Sequence, residues 1–430
     1  MAAESGSPSP RSLFALDAIY LILADVHGGL GPFLAAYLAS VHHWDPARIG
    51  TVMAVMGFTG LAAQAPAGAI IDAVRDKRAV LVAAFALVAT AATAMVLVPT
   101  PAVVIAAQVI IGASGAVFGP ALAAISLGLV GHAGLARRMG RNQALDHAGN
   151  VAAAALAGLI ADSIGFGGIF LLAAALCLGG IVAVATISGA DIDEERARGG
   201  AAGPAVGEDP PGAPASGRVV GLRELFADRR ILIFAAAVVL FHFANAPMLP
   251  LVGQKLARGL TGGAALPMSA CIIAAQVVMI PVALLASRFA VSWGRKPVLL
   301  VGFAVLPIRG VLYTLGTDPS YLVAVQLLDG VGAGIFGVVG ILVIADLTRG
   351  TGRFNLMQGV LATATGLGGA LSNLATGSIV AAAGFDAGFL ALATVAGVAL
   401  AFFGLAMPET GRSPRVAPPI EPDPRPAGCS

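Results

Sequence analysis

The apolar stretches of this 430-residue chain carry few charges, and the exceptions include residue types that bind protons or polar solutes. Asp25 and His27 lie about 12 residues into the first stretch, or ~18 Å along a helix rising 1.5 Å per residue. An ionisable group at the centre of a membrane helix costs at least ~2.5–3.5 kcal/mol, so its presence there points to work. Two positions apart on a helix, the two side chains diverge and do not pair with each other. The run Gly28-Gly29-Leu30-Gly31-Pro32 beside them lets backbones approach or frees carbonyls. Burial brings both groups into range for reversible protonation near neutral pH, or for contact with a polar solute. The structural alternative is a static hydrogen bond to a neighbouring helix.

Composition dictates what positions them. The hydrophobic set makes up 58% of the chain, charged residues only 11%, the formal net charge is +2 and the mean hydropathy is +0.90. That is less than half the usual ~25% of charged residues, and it offers no basic face for nucleic acid. A spanning helix needs about 20 mostly apolar residues, which places spans near 13–39, 49–72, 79–98, 102–130, 143–162 and 167–188. A second six follow near 231–254, 265–288, 297–316, 320–346, 356–383 and 386–407. The expected fold is an all-α polytopic membrane protein, with 12 transmembrane helices in two six-helix pseudo-symmetric halves, 13–188 and 231–407.

Residues 1–12 form a polar N-tail, 189–230 an acidic, Gly/Pro/Ala-rich flexible linker ending in a possible amphipathic turn at 222–226, and 408–430 a disordered C-tail. Lys and Arg concentrate on the side holding both termini and the linker, whereas the opposite side has only Arg48, Lys255 and Arg258. The positive-inside rule then makes termini and linker cytoplasmic. Only three of the 25 basic residues are lysines, a bias of GC-rich bacterial genomes, so a bacterial inner membrane is expected. Cys177, Cys271 and Cys429 have no paired or metal-ligand spacing.

These spans place the remaining polar residues. In span 5, Asp146 and Asn150 share a face, with Asn142 a turn earlier, as a stripe toward a central cavity. Span 7 carries His242-x-x-Asn245 beside Pro247 and Pro250. His242 is read either as a cavity residue or as part of a helix bend. Gln276 is a lone midplane amide in span 8, and Asn373 lies on a polar face of span 11 with Gln358, Thr365 and Ser372. Arg309 in span 9 and Asp329 in span 10 both fall near midplane, where an ion pair is feasible.

The halves align at an offset of 218 residues, Pro32 onto Pro250. The same register carries Lys77-Arg78 onto Arg295-Lys296, Gln108-x-x-x-Gly112 onto Gln326-x-x-x-Gly330, and Phe118-Gly119 onto Phe336-Gly337. It also carries His27 onto Asn245, so the two are expected to face each other across the cavity.

The 2–3 loop, Gly68-Ala-Ile-Ile-Asp72-Ala-Val-Arg75-Asp76-Lys77-Arg78, resembles the signature of the major facilitator superfamily (MFS), with Arg75 replacing its second glycine. The second-half copy keeps Gly294-Arg295-Lys296, and Pro408-Glu-Thr resembles a motif after the last helix of some members. The resemblance implies a gate: Asp72 would dock on the positive N-terminus of a neighbouring helix, span 11 near Asn355, while Lys77 and Arg78 pair with carboxylates or lipid phosphate. It also implies that span 9 stands outside the cavity ring, which makes Arg309–Asp329 a structural bridge. Gln108 stands where many proton-driven members have an arginine.

The expected function is secondary active transport of a small organic solute by alternating access, coupled to protons and directed outward as an antiporter. The alternative is an importer or passive facilitator of a polar metabolite. Expected partners are the solute, protons and membrane lipid, with the protein a monomer. No cofactor or metal is expected, and no enzyme or ATP-driven motif such as H-E-x-x-H, C-x-x-C, G-x-S-x-G or Gly-Lys-Ser/Thr occurs.

Overall fold

The computed structural model describes residues 8–24, 30–197, 227–259, 264–349, 351 and 353–411. Asp25 and His27, the possible turn at 222–226 and the C-tail beyond 411 lie outside the described residues. So do the side chains of Asp72 and Asn355, the two ends of the expected docking.

The chain is a bundle of long apolar helices. Among the described residues, nine segments are long and apolar enough to cross a membrane, including Arg229–Gly259 and Leu356–Ala406. Three corrections to that simple division give twelve spans in two halves. Span 1 is described over Pro10–Ala24 and Leu30–Ser40, each too short alone. Span 9, Arg295–Leu312, carries Arg295, Lys296 and Arg309. Leu356–Ala406 is two spans, because Gly384 (φ 87°) breaks the helix in a conformation that glycine adopts without a Cβ penalty. Spans 2 to 6 are Pro46–Ala73, Lys77–Leu97, Pro101–Gly131, Arg137–Ile164 and Gly167–Thr186. Span 7 bends between Asn245 and Met248, span 8 is Ala265–Ser292 and span 10 is Pro319–Leu347.

The 218-residue register is visible in the packing. A methyl on Gly112 of span 4 would sit 2.5 Å from the Met56 carbonyl oxygen of span 2. One on Gly330 of span 10 would overlap the Ala275 carbonyl of span 8 and come within 2.8 Å of Val278 Cβ. Equivalent glycines therefore let equivalent helix pairs approach to backbone contact.

Both connectors differ from expectation at their first residues. The linker begins folded: Asp191 accepts hydrogen bonds from Ser9 N (3.2 Å) and Ser12 Oγ (2.7 Å), and Asp193 N donates to Gly128 O (3.1 Å). Lys77, fully buried, pairs with Glu194 (3.3 Å), and Arg78 donates to Ile187 O (2.8 Å). These bonds stitch spans 1, 3 and 6 of one half. The C-tail begins folded too. Glu409 accepts from Arg295 N (2.8 Å), Lys296 N (3.1 Å) and Gly411 N (2.8 Å), capping span 9. In the first half that role falls to Asp76, which caps span 3 through Arg78 N and Ala79 N. Its repeat position is Gly294, so the second half recruits a carboxylate from the tail. Local polarity outweighs the disorder-prone composition because each carboxylate satisfies orphan N–H groups at a helix start.

The Ser12 and Ser9 hydroxyls hold the Asp191 carboxyl below the ordinary carboxylate range. Burial would raise that of Glu409, but the N–H groups of Gly411, Arg295 and Lys296 outweigh it and lower it. Folded values below unfolded ones mean stability that is fully present above the ordinary carboxylate pKa and lost as pH falls through the folded value. Thermal melts of purified protein between neutral pH and pH 3 are therefore expected to show an acid-dependent loss at the linker end, partly removed by combining Asp191→Asn with Glu409→Gln. An unchanged acid response in the double variant contradicts this assignment.

Candidate functional site

The two halves meet along one end of the bundle, the end away from the linker. There Gly50 and Gly57 of span 2 pack on span 11: a methyl on Gly50 would overlap the Asn373 carbonyl and lie 2.9 Å from Gly377 Cα, and one on Gly57 would lie 2.9 Å from Ala370 Cβ. A methyl on Gly158 of span 5 would lie 2.5 Å from Ser269 Oγ of span 8, and one on Gly253 of span 7 would lie 3.2 Å from Pro32 O of span 1. Toward the linker end the same helices separate. Among the described residues, a methyl at Gly68 of span 2, or at Gly359 or Gly366 of span 11, would meet nothing within 4 Å, and Gln64 and Pro66 are exposed. A cavity of about 240 Å³ lies just below the Gly57 contact, between spans 2, 4 and 11, lined by Gln64, Gly60 and Gly366 among others. The structure is closed at the far end and open at the linker end.

Where the closed seam meets the open part, span 5 and span 8 exchange a polar contact. His147 Nδ1 lies 3.1 Å from Gln276 Oε1, joining the two halves directly. With the amide so oriented, its oxygen can only accept, so Nδ1 donates and Nε2 of the neutral ring is an acceptor. Span 5 presents Gly149 to the Leu21 carbonyl region of span 1, and His147 and Gly158 to span 8. At 100° per residue, Asp146 and Asn150 fall between those faces, opposite the flank bearing exposed Ala148, Ala152 and Leu159. Asn150 Nδ2 donates to the Asp146 carbonyl (3.1 Å) and lies 3.5 Å from its carboxylate. A proton acceptor, an imidazole and two amides thus share the junction between the halves.

The other sequence-derived candidates divide. Asn142, expected in the same stripe, is buried and turned away, accepting from Arg138 Nε (2.7 Å) and donating to Ser126 (3.3 Å). Asn373 Nδ2 donates to Gly369 O (2.9 Å) in the far-end seam. Asn245 does not look across the cavity: its Oδ1 accepts from Arg309 Nη2 (2.7 Å) inside its own half. Arg309, fully buried, also pairs with Asp329, which accepts from Gln326 Nε2 (2.9 Å), and its Nε meets the Met248 sulfur (3.2 Å). His242 is held edge-on to Phe241 and Phe336, and its Nε2 has no hydrogen-bond partner among the described residues. Gln108 turns into the first half, toward the Met95 sulfur (3.7 Å). Of the gate residues, Lys77 and Arg78 brace the first half, and Arg75 is exposed.

One cluster has no counterpart in the sequence reading. Asp17 of span 1 accepts from Arg138 Nη2 (2.6 Å) and from Arg141 Nε and Nη2 (3.0 and 2.6 Å) of span 5. The available signal was an acid one turn inside an apolar stretch, on the same side as an arginine cluster.

Comparison with known proteins decides the family. The model of the Major Facilitator Superfamily matches residues 16–304 and 276–428. The chain belongs to the Major Facilitator Superfamily. An uncharacterized MFS-type transporter of Mycobacterium tuberculosis, found in strains CDC 1551/Oshkosh and ATCC 25618/H37Rv, is 48% identical over 402 residues, 93% of this chain and 94% of that protein. The nucleoside transporter NupG has the same fold, with a TM-score of 0.72 at 17% identity over 91% of this chain and 98% of that one. So does a POT family transporter solved with 5-aminolevulinic acid, with a TM-score of 0.69 at 14% identity over 91% and 95%. The protein is a multi-pass membrane transporter of this superfamily, and its twelve helices in two halves are the superfamily's layout.

Proposed function

We propose that the protein is a proton-coupled secondary transporter that exports a small organic solute by alternating access. The observation that carries this reading is the asymmetry of the seam: glycine-mediated backbone contact between halves at the far end, separation at the linker end. Rocking the halves about the His147–Gln276 level would exchange the two. Asp146 and His147 supply titratable groups there, with Asn150 and Gln276 as hydrogen-bonding partners for a solute. Asp25 and His27 are proposed as further proton or solute contacts, and Asp72 with Arg75 as part of the linker-end gate. His242, Asn245 and Asn373 are proposed to act by shaping the second half and the seam.

Sidedness follows from charge. The linker end carries Arg75, Arg78, Arg137, Arg141, Arg295, Lys296 and Arg353, the far end only Arg48, Lys255 and Arg258. We infer a bacterial inner membrane with termini and linker in the cytoplasm and a monomer as the working unit. Opening toward the linker is then opening inward.

The amides at the junction and Gln108 in place of an arginine favour a second reading, uptake or facilitated diffusion of a polar metabolite. Inverted vesicles separate the two. A labelled panel of nucleosides, amino acids and organic cations is offered with and without an imposed pH gradient. Accumulation that requires the gradient, and falls about tenfold or more in both Asp25→Asn and Asp146→Asn, supports coupled export, the size following from loss of a positioned proton carrier. Gradient-independent flux supports facilitation.

A further inference from the structure

At the far end of the second half, a cavity of about 630 Å³ opens between the end of span 7, the 314–317 turn and the 383–386 turn. It holds two of the three basic residues found at that end of the molecule. Lys255 is largely buried: its Nζ donates to Tyr313 O (2.7 Å) and lies 3.5 Å from Asp386 Oδ1. The Arg258 guanidinium lies over the Phe385 ring, 5.0 Å from its centroid, and has no carboxylate partner among the described residues. A guanidinium held over a ring and without a carboxylate partner has N–H groups free for bidentate contact. Gly384 ends span 11, so the first N–H groups of span 12, which lack intrahelical acceptors, start at the same rim. Thr314 and Thr317 add hydroxyls to the wall. Two cations against one carboxylate leave the cavity positive, where the rest of that end is nearly free of positive charge.

We propose that this pocket binds a phosphate-type anion, either the phosphodiester of an anionic lipid headgroup or a phosphate free in solution. Arg258 makes the bidentate contact, Lys255 supplies the second charge, and Asp386 is the internal competitor that the anion displaces. Leu315, which also lines the cavity and is 70% exposed, gives the rim an apolar lip. The site is separate from the seam between the halves and does not depend on the direction or coupling of transport.

The test uses the purified full chain in two arms. One follows melting temperature in phosphatidylcholine nanodiscs as the phosphatidylglycerol fraction is raised from zero; the other titrates inorganic phosphate into lipid-depleted detergent. Stabilisation by phosphatidylglycerol alone identifies a headgroup, and stabilisation in the phosphate arm identifies a free anion. In whichever arm responds, Arg258→Gln is expected to weaken the midpoint about tenfold, the loss of one charge-assisted contact. Asp386→Asn should strengthen it, a sign that a merely structural role would not give. No stabilisation in either arm, or responses of both variants equal to the unmodified protein, overturns the proposal.

Discussion

Gly50→Leu is expected to leave a folded protein that no longer transports. The side chain would drive into the Asn373 carbonyl and to within 2.9 Å of Gly377 Cα, both backbone atoms that cannot rotate away. The clash exists only when the far end is closed, so the substitution penalises one state and spares the other. Overpacking of this kind costs ~1–3 kcal/mol, and a bias of that size shifts a two-state ratio roughly 5–150-fold. Transport in proteoliposomes should fall by at least about fivefold, while melting temperature in detergent changes little. Gly377→Leu should behave alike, because its methyl would meet Pro46 O at 2.6 Å and Gly50 Cα at 2.9 Å. Normal transport by either variant would mean that the seam does not close as a unit.

Arg309→Leu is expected to be the most destabilising single change in the second half. The guanidinium is fully buried and holds Asp329, Asn245 and the Met248 sulfur, tying spans 7, 9 and 10 together. Removing it leaves Asp329 with Gln326 as its remaining partner among these contacts. Breaking one side of a buried pair costs ~3–5 kcal/mol, whereas replacing both sides with apolar residues is often neutral. Melting in detergent should therefore drop sharply in Arg309→Leu and recover in large part when Asp329→Leu is added. Recovery of transport in the same double variant would confine the pair to a structural role. A stable, inactive double variant would place the pair in the transport cycle instead.

How far the sequence speaks differs by feature. Helix number and the two-half repeat are legible because a membrane span is set by length and apolarity, and because Gln108/Gly112 and Gln326/Gly330 mark the same close packing twice. The stripe Asn142, Asp146, Asn150 reads as one face from spacing alone. The partner helices divide it, since Asp17 of span 1 and Ser126 of span 4, with Arg138 of span 5 itself, draw Asn142 into a buried network, while Asp146 and Asn150 fall toward the cavity.

The repeat sets Asn245 opposite His27, yet a nearby buried cation is the stronger attractor in a low-dielectric core. His147–Gln276 could not be found from spacing, because it joins residues 129 apart in different halves. Glu409 lay in a segment whose composition suggested disorder. Only the register, which maps Asp191 onto it and the capping Asp76 onto Gly294, carried a hint.

The central claim is that one rocking motion closes the far end when it opens the linker end. Double electron–electron resonance on two labelled pairs tests it in membranes. One pair, Val41 with Leu315, spans the halves at the far end; the other, Arg137 with Val291, spans them at the linker end, and all four positions are exposed. Cys429 is replaced by serine beforehand, and Cys177 and Cys271 are buried. With Gly50→Leu added, the far-end distances should lengthen while the linker-end distances shorten. Distances that stay fixed at both ends, or lengthen at both, would contradict alternating access through this seam.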